Sequence, residues 1–130
     1  MIYIGYFSFD AIDRDGNPRH GYLSCTMASE SPDRAADHFR RAITDLRGSG
    51  PPYSTMAAVY IEDIVEMRDI PEDPLISWYQ SSEGEFPEST TRSLPESSQF
   101  GVTAYGYHKD VGKADPSESP YRESSPFMTF

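Results

Sequence analysis

Asp13, Asp15 and Asn17 stand at alternate positions in "DRDGN", the spacing with which an EF-hand loop begins to wrap calcium in oxygen ligands. The match stops there. Pro18 occupies the position where such a loop needs glycine, and Ser24 the position where it needs a bidentate glutamate. A hairpin turn accounts for these residues better, because Asp, Asn and Gly supply local hydrogen bonds and left-handed backbone. The histidines His20, His38 and His108 lie far apart and show no H-x-H or HExxH spacing that would set two rings on one ion. Cys25 is the single cysteine, which excludes an internal disulfide and a cysteine-rich zinc site. It alternates with Leu23 and Met27, where a thiol acts as a small apolar side chain rather than a nucleophile. Serine chemistry lacks a G-x-S-x-G elbow, and "GSGPP" (48–52) lacks the Lys-Ser/Thr of a phosphate-binding loop. No cofactor, metal or catalytic residue is assigned from these patterns.

Carboxylates are the most abundant chemical resource. The chain carries a formal net charge of -10. Residues 1–50 hold seven acids against six arginines, and 101–130 four acids against three bases, whereas 51–100 hold ten acids against Arg68 and Arg92. The acidity is therefore one block, from Glu62 to Glu96. Direct nucleic-acid binding needs clustered Lys and Arg and is not expected. An acidic face suits a basic protein partner, since complementary fields speed encounter and reject wrong partners; simple solubility would explain it as well. Within the block, Asp63 interrupts an otherwise apolar strand face of Val59, Ile61, Val65 and Met67. There it would either carry a raised pKa or pair with an arginine, with Arg40 or Arg41 as the natural partner.

The elements that position these groups follow from periodicity. "IYIGYFSFDAI" (2–12) alternates Tyr3, Phe7 and Phe9 with Ile2, Ile4, Tyr6 and Ile12, so both faces are apolar and the strand is central. The turn 13–21 leads to a second strand, "YLSCTMA" (22–28), and the two form a hairpin. A helix follows, capped by Ser31, with Pro32 at its first position, Asp33 in its first turn and Gly48 closing it. Its apolar stripe is Ala35, Ala36, Phe39, Ala42, Ile43 and Leu46. Residues 57–70 fit either a strand or a helix, and their β-branched content together with the following "PEDP" favours a strand. "LISWYQ" (75–80) reads as a further strand. The expected fold is a small α+β two-layer sandwich, β-β-α-β-β, with one amphipathic helix across an antiparallel sheet. The hairpin and "SPDRAADHFRRAITDL" loosely resemble the β-hairpin–helix start of HicB-type antitoxins; that family's Pro-rich stretch is absent, and no function is carried over.

After residue 80 the composition changes. The last fifty residues contain ten Ser, five Pro and six Glu, types that favour disorder. Yet Tyr105, Tyr107, Tyr121, Phe127 and Phe130 are apolar anchors, and "FGVTAYGYH" (100–108) alternates like a strand. The expected organisation is a core domain, 1–80, and an extended segment, 81–130, that packs on the core or on a partner through Tyr121, Phe127 and Phe130. The amino terminus, "MIYIGYFSFD", has no basic start, and no run reaches the length of a membrane span; a soluble, cytoplasmic protein that binds no membrane is expected.

The leading functional expectation is a non-enzymatic acidic interaction module that binds or inhibits a basic partner, in the manner of immunity proteins and antitoxins. Its candidate residues are Glu62, Glu66, Asp69, Glu72, Asp73, Trp78 and Tyr79. Behind it stand an enzyme or ligand-binding protein built on His20, His108 and Asp63, and a homo-oligomeric structural subunit joined through the C-terminal tail.

Overall fold

In the computed structural model, residues 1–85, 91, 93–95, 101–105 and 128–130 are described. The elements run β1 (Ile2–Ile12), β2 (Pro18–Ala28), α1 (Pro32–Gly48) and β3 (Met56–Met67), with a 3-10 turn at Tyr53–Thr55 before β3. The sheet order is β2-β1-β3, and both pairings are antiparallel. β1 is thus central, as its two apolar faces require.

α1 forms where its caps specify. The Ser31 side chain accepts a hydrogen bond from the Arg34 amide, Pro32 follows at the first helical position, and Ser49 ends the helix by donating its N–H to the Leu46 carbonyl. Gly48 is the last helical residue rather than the terminator; the left-handed glycine is Gly50, at φ 104°. The helix buries Ala35 and Phe39 against Tyr3 and Phe7, with Leu23, Cys25, Met27, Ile43, Val59 and Ile64 packed around them. Phe39 meets Phe7 edge-on at 5.9 Å between ring centroids, the geometry that sets a positive ring edge on a negative face. It can come this close because Gly5 lies beneath it: a Cβ there would be 2.8 Å from the Phe39 ring. Ala42, at the edge of the expected stripe, is exposed.

Three expectations are corrected. β2 begins at Pro18, so the turn contracts to Asp13–Asn17; there the Asp13 carboxylate accepts from the Asp15 and Asn17 amides at 3.0 and 2.8 Å. Proline fits as first residue because the strand's hydrogen-bond ladder has not yet begun to need its missing N–H. Residues 75–80 form no strand. Pro71 and Pro74 remove donors ahead of them, and Leu75, Ile76 and Tyr79 remain exposed, so the α+β sheet has three strands among the described residues, not four. Finally, β3 is not a uniform alternation. Its register against β1 shifts between Tyr6/Phe7 and between Asp10/Ala11, which leaves Glu62 and Ala57 as extra residues. A bulge reverses which face each following side chain takes. Ile64 therefore joins Val59 against the helix, and Asp63 interrupts nothing.

The chain divides into two compact units, Met1–Trp78 and Tyr79–Phe130. In the second, Gly101–Tyr105 form no strand and Tyr105, Met128 and Phe130 are exposed. The rest of the expected strand at 100–108, and the tail anchors Tyr121 and Phe127, lie outside the described residues.

Candidate functional site

The sheet face opposite α1 carries Ile2, Ile4 and Tyr6 from β1, because successive strand residues point to opposite sides. No helix covers it. Cover comes from the irregular segment after β3, which ends in Trp78. The Trp78 ring stacks on Tyr6 at 5.4 Å and 10° between planes, and tilts against Tyr22 at 5.5 Å. Tyr22 pairs with Ser8, two residues from Tyr6 along β1, within reach of one large indole. Tyr6 is buried, and its hydroxyl has no hydrogen-bond partner among the described residues.

Beside this aromatic cluster the same segment leaves an open groove of about 380 Å³. Ile4, Met67, Ile70, Pro71, Pro74 and Leu75 supply its apolar lining, and Glu72 and Asp73 bring two carboxylates to it. Ile70 and Ile76 are 76% and 82% exposed. These large apolar side chains are exposed beside the two carboxylates.

The acidic candidates divide. Glu62, the bulge residue, accepts from the Ser8 hydroxyl. Glu66 sits opposite Tyr3 on the helix side and accepts from its hydroxyl at 2.5 Å. That bond, reinforced by burial and by the carboxylate's charge, pushes the Tyr3 pKa up to about 12. Both glutamates thus hold the sheet together as well as charging it. Asp69, Glu72 and Asp73 are exposed in the segment beyond β3. Tyr79 is exposed in the second unit, while Trp78 is the member engaged on the sheet.

Asp63 is exposed. Of the two arginines expected as its partner, Arg40 or Arg41, Arg40 instead pairs with Asp37 one helical turn away at 2.7 Å. Asp63 pairs with Tyr6 and His20 with Asp10, on opposite sides of β1. Strand geometry therefore sets them roughly 16 Å apart, and the structure does not bring them together. His108 lies outside the described residues. Among the described residues no three His, Cys, Asp or Glu side chains converge as metal ligands, and no helix is long and apolar enough to cross a membrane. Asp13, the first of the calcium-like residues, spends its carboxylate on turn amides; those bonds, the Asn17 amide foremost, hold its pKa below the usual value. Burial pushes the Cys25 thiol up, away from the thiolate a nucleophile needs.

Sequence reasoning missed the groove. Its signal was the pair Pro71 and Pro74 flanking acids between apolar residues, which turns the chain back rather than extending it. Compared with protein-family models, with curated proteins and with solved structures, the chain matches none.

Proposed function

We propose that this protein is a non-enzymatic binding module for a basic protein partner, acting as a neutraliser or inhibitor in the way immunity proteins and antitoxins do. The observation that carries the reading is the apolar groove flanked by Glu72 and Asp73, with Asp69 close by in sequence. Such a surface accepts an apolar anchor and offers charge to the Lys or Arg beside it, the combination that joins affinity to selectivity. Trp78 keeps the segment seated through its stack on Tyr6, so the groove is presented on a fixed wall. The enzymatic alternative has no comparable support, since His20 and Asp63 stand on opposite edges of the sheet.

The test is affinity capture of the full-length chain from its native host at low and high salt, with captured proteins identified by mass. The expected result is a stoichiometric basic protein released by salt, because attraction between exposed charges is screened. Capture of no protein but the chain itself, unchanged by salt, would contradict the reading and reduce the charge to a matter of solubility.

A further inference from the structure

The sheet face opposite α1 carries a second feature, on the other side of Trp78 from the groove. Ser8 of β1 lies directly between Tyr22 of β2 and Tyr60 of β3, and cross-strand partners point to the same side of a sheet. Two interstrand spacings set these tyrosines roughly 10 Å apart, with the small Ser8 side chain as the floor between them. The Trp78 indole leans on Tyr22 at 5.5 Å and 58° between planes, which makes that wall a corner of two rings. Trp78 and Tyr60 are 39% and 54% exposed, so the corner opens to solvent. The β3 bulge adds charge to the same place. Glu62 accepts from the Ser8 hydroxyl, and the register shift sets Asp63, opposite Tyr6, on this side as well. A strand without the bulge would send Glu62 and Asp63 to opposite faces. Asp63 is exposed and makes no hydrogen bond or ion pair among the described residues.

We propose that this corner seats an arginine side chain of a basic partner, its guanidinium against the Trp78 and Tyr60 rings and paired with Asp63 and Glu62. The proposal deepens the basic-partner reading and rests on it, but it uses a different place from the groove. Chemistry selects the occupant. A guanidinium is planar and weakly hydrated, stacks on aromatic faces and gives a carboxylate two parallel hydrogen bonds; a lysine ammonium is a compact, strongly hydrated point charge. A quaternary ammonium would meet the rings but has no N–H for the carboxylates, and an anion would meet two negative charges. The buried Tyr6 hydroxyl, in the neighbouring row and without a partner among the described residues, is a further acceptor that the sheet itself does not use. Ile4 in the groove and Ser8 in the corner are four residues apart on β1, roughly 13 Å, with Tyr6 and its indole cover between them. An extended partner segment crosses that distance in about four residues. One stretch can therefore set an apolar anchor in the groove and an arginine in the corner.

The test is an amide NMR titration of the full-length chain with acetyl-Gly-Arg-Gly-amide, beside the same titration with acetyl-Gly-Lys-Gly-amide. Saturable shifts are expected at Ser8, Tyr60, Asp63 and the Trp78 indole N–H, with the lysine peptide binding more weakly. Tyr60→Ala should weaken arginine binding about tenfold, whereas Tyr60→Phe, which keeps the ring, should bind as wild type does. Asp63→Asn should weaken it by a similar factor; both positions are exposed, so the circular dichroism of the fold should not change. The absence of saturable shifts overturns the proposal, and so do equal binding of the two peptides, shifts centred on Glu72 and Asp73, or full affinity in Tyr60→Ala. The arginine–lysine comparison uses the wild-type chain, so it decides even where a variant lowers stability. It also needs no native partner: a failed capture contradicts the basic-partner reading, and a failed titration contradicts this corner alone.

Discussion

The two faces of the central strand are both apolar, yet they are covered in opposite ways. On one, a capped helix sets Phe39 over Gly5 and Phe7, with Tyr3 and Ala35 closing the cluster. On the other, a segment without regular structure lays one indole on Tyr6 and Tyr22 and leaves Ile70, Leu75 and Ile76 in solvent. The first face shows where the fold takes its stability; the second shows where surface has been left available. The packed core lies on one side of a single strand and the recognition surface we propose on the other, and the strand's residues alternate between them.

Substitutions should separate the two sides, and the largest effect belongs to the helix side. Phe39→Ala empties the centre of that cluster and should cost about 3–5 kcal/mol, read by denaturant unfolding. Trp78→Ala, whose side chain is 39% exposed, should cost about 2 kcal/mol, less than full aromatic burial. It should also expose Tyr6 to solvent, visible as a rise in accessible tyrosine fluorescence quenching. If the two variants lose equal stability, the division of labour is wrong.

A smaller effect of opposite sign tests the cover itself. The buried Tyr6 hydroxyl lacks a partner among the described residues, so Tyr6→Phe removes an unmet hydrogen-bonding demand and should be neutral or stabilising by about 1 kcal/mol. A clear loss of stability would mean that the hydroxyl is satisfied in solution. Smallest is the pH effect of Tyr3. Its folded pKa of about 12 stands above the ordinary value of 10.0, so the neutral phenol is the favoured form. Its contribution is complete below pH 10 and is lost as pH rises towards 12. The stability gap between wild type and Tyr3→Phe should close across that window; a constant gap would show that the bond to Glu66 is not made.

What the sequence showed of this molecule follows from how local each cause is. The start of the helix was legible at Ser31 and Pro32, because capping is decided within four residues. The central position of β1 was legible because both of its alternating sets are apolar. The β3 bulge at Glu62 was not: a single extra residue leaves the composition unchanged and depends on how Ile61 and Asp63 register against Phe7 and Tyr6. That shift turned Asp63 from an apparent half-buried acid into an exposed one. The groove itself was not legible. Its acids and apolar residues were read, but Leu75–Gln80 was expected to extend the sheet, whereas Pro71 and Pro74 lead a segment that crosses the sheet face and stops at Trp78. Of the candidate acids, nothing in the spacing separated Glu62 and Glu66, which serve the sheet, from Asp69, Glu72 and Asp73, which do not touch it through any hydrogen bond among the described residues.

The most direct measurement is therefore a pair of readings on one variant, Asp69→Lys, Glu72→Lys, Asp73→Lys. Its unfolding free energy should stay within about 0.5 kcal/mol of wild type, as expected for exposed positions away from the core, while a salt-sensitive basic partner captured by wild type should no longer be retained. Retention of that partner by the reversed chain, or a loss of stability as large as that of Trp78→Ala, would contradict the proposal that recognition belongs to the face opposite α1.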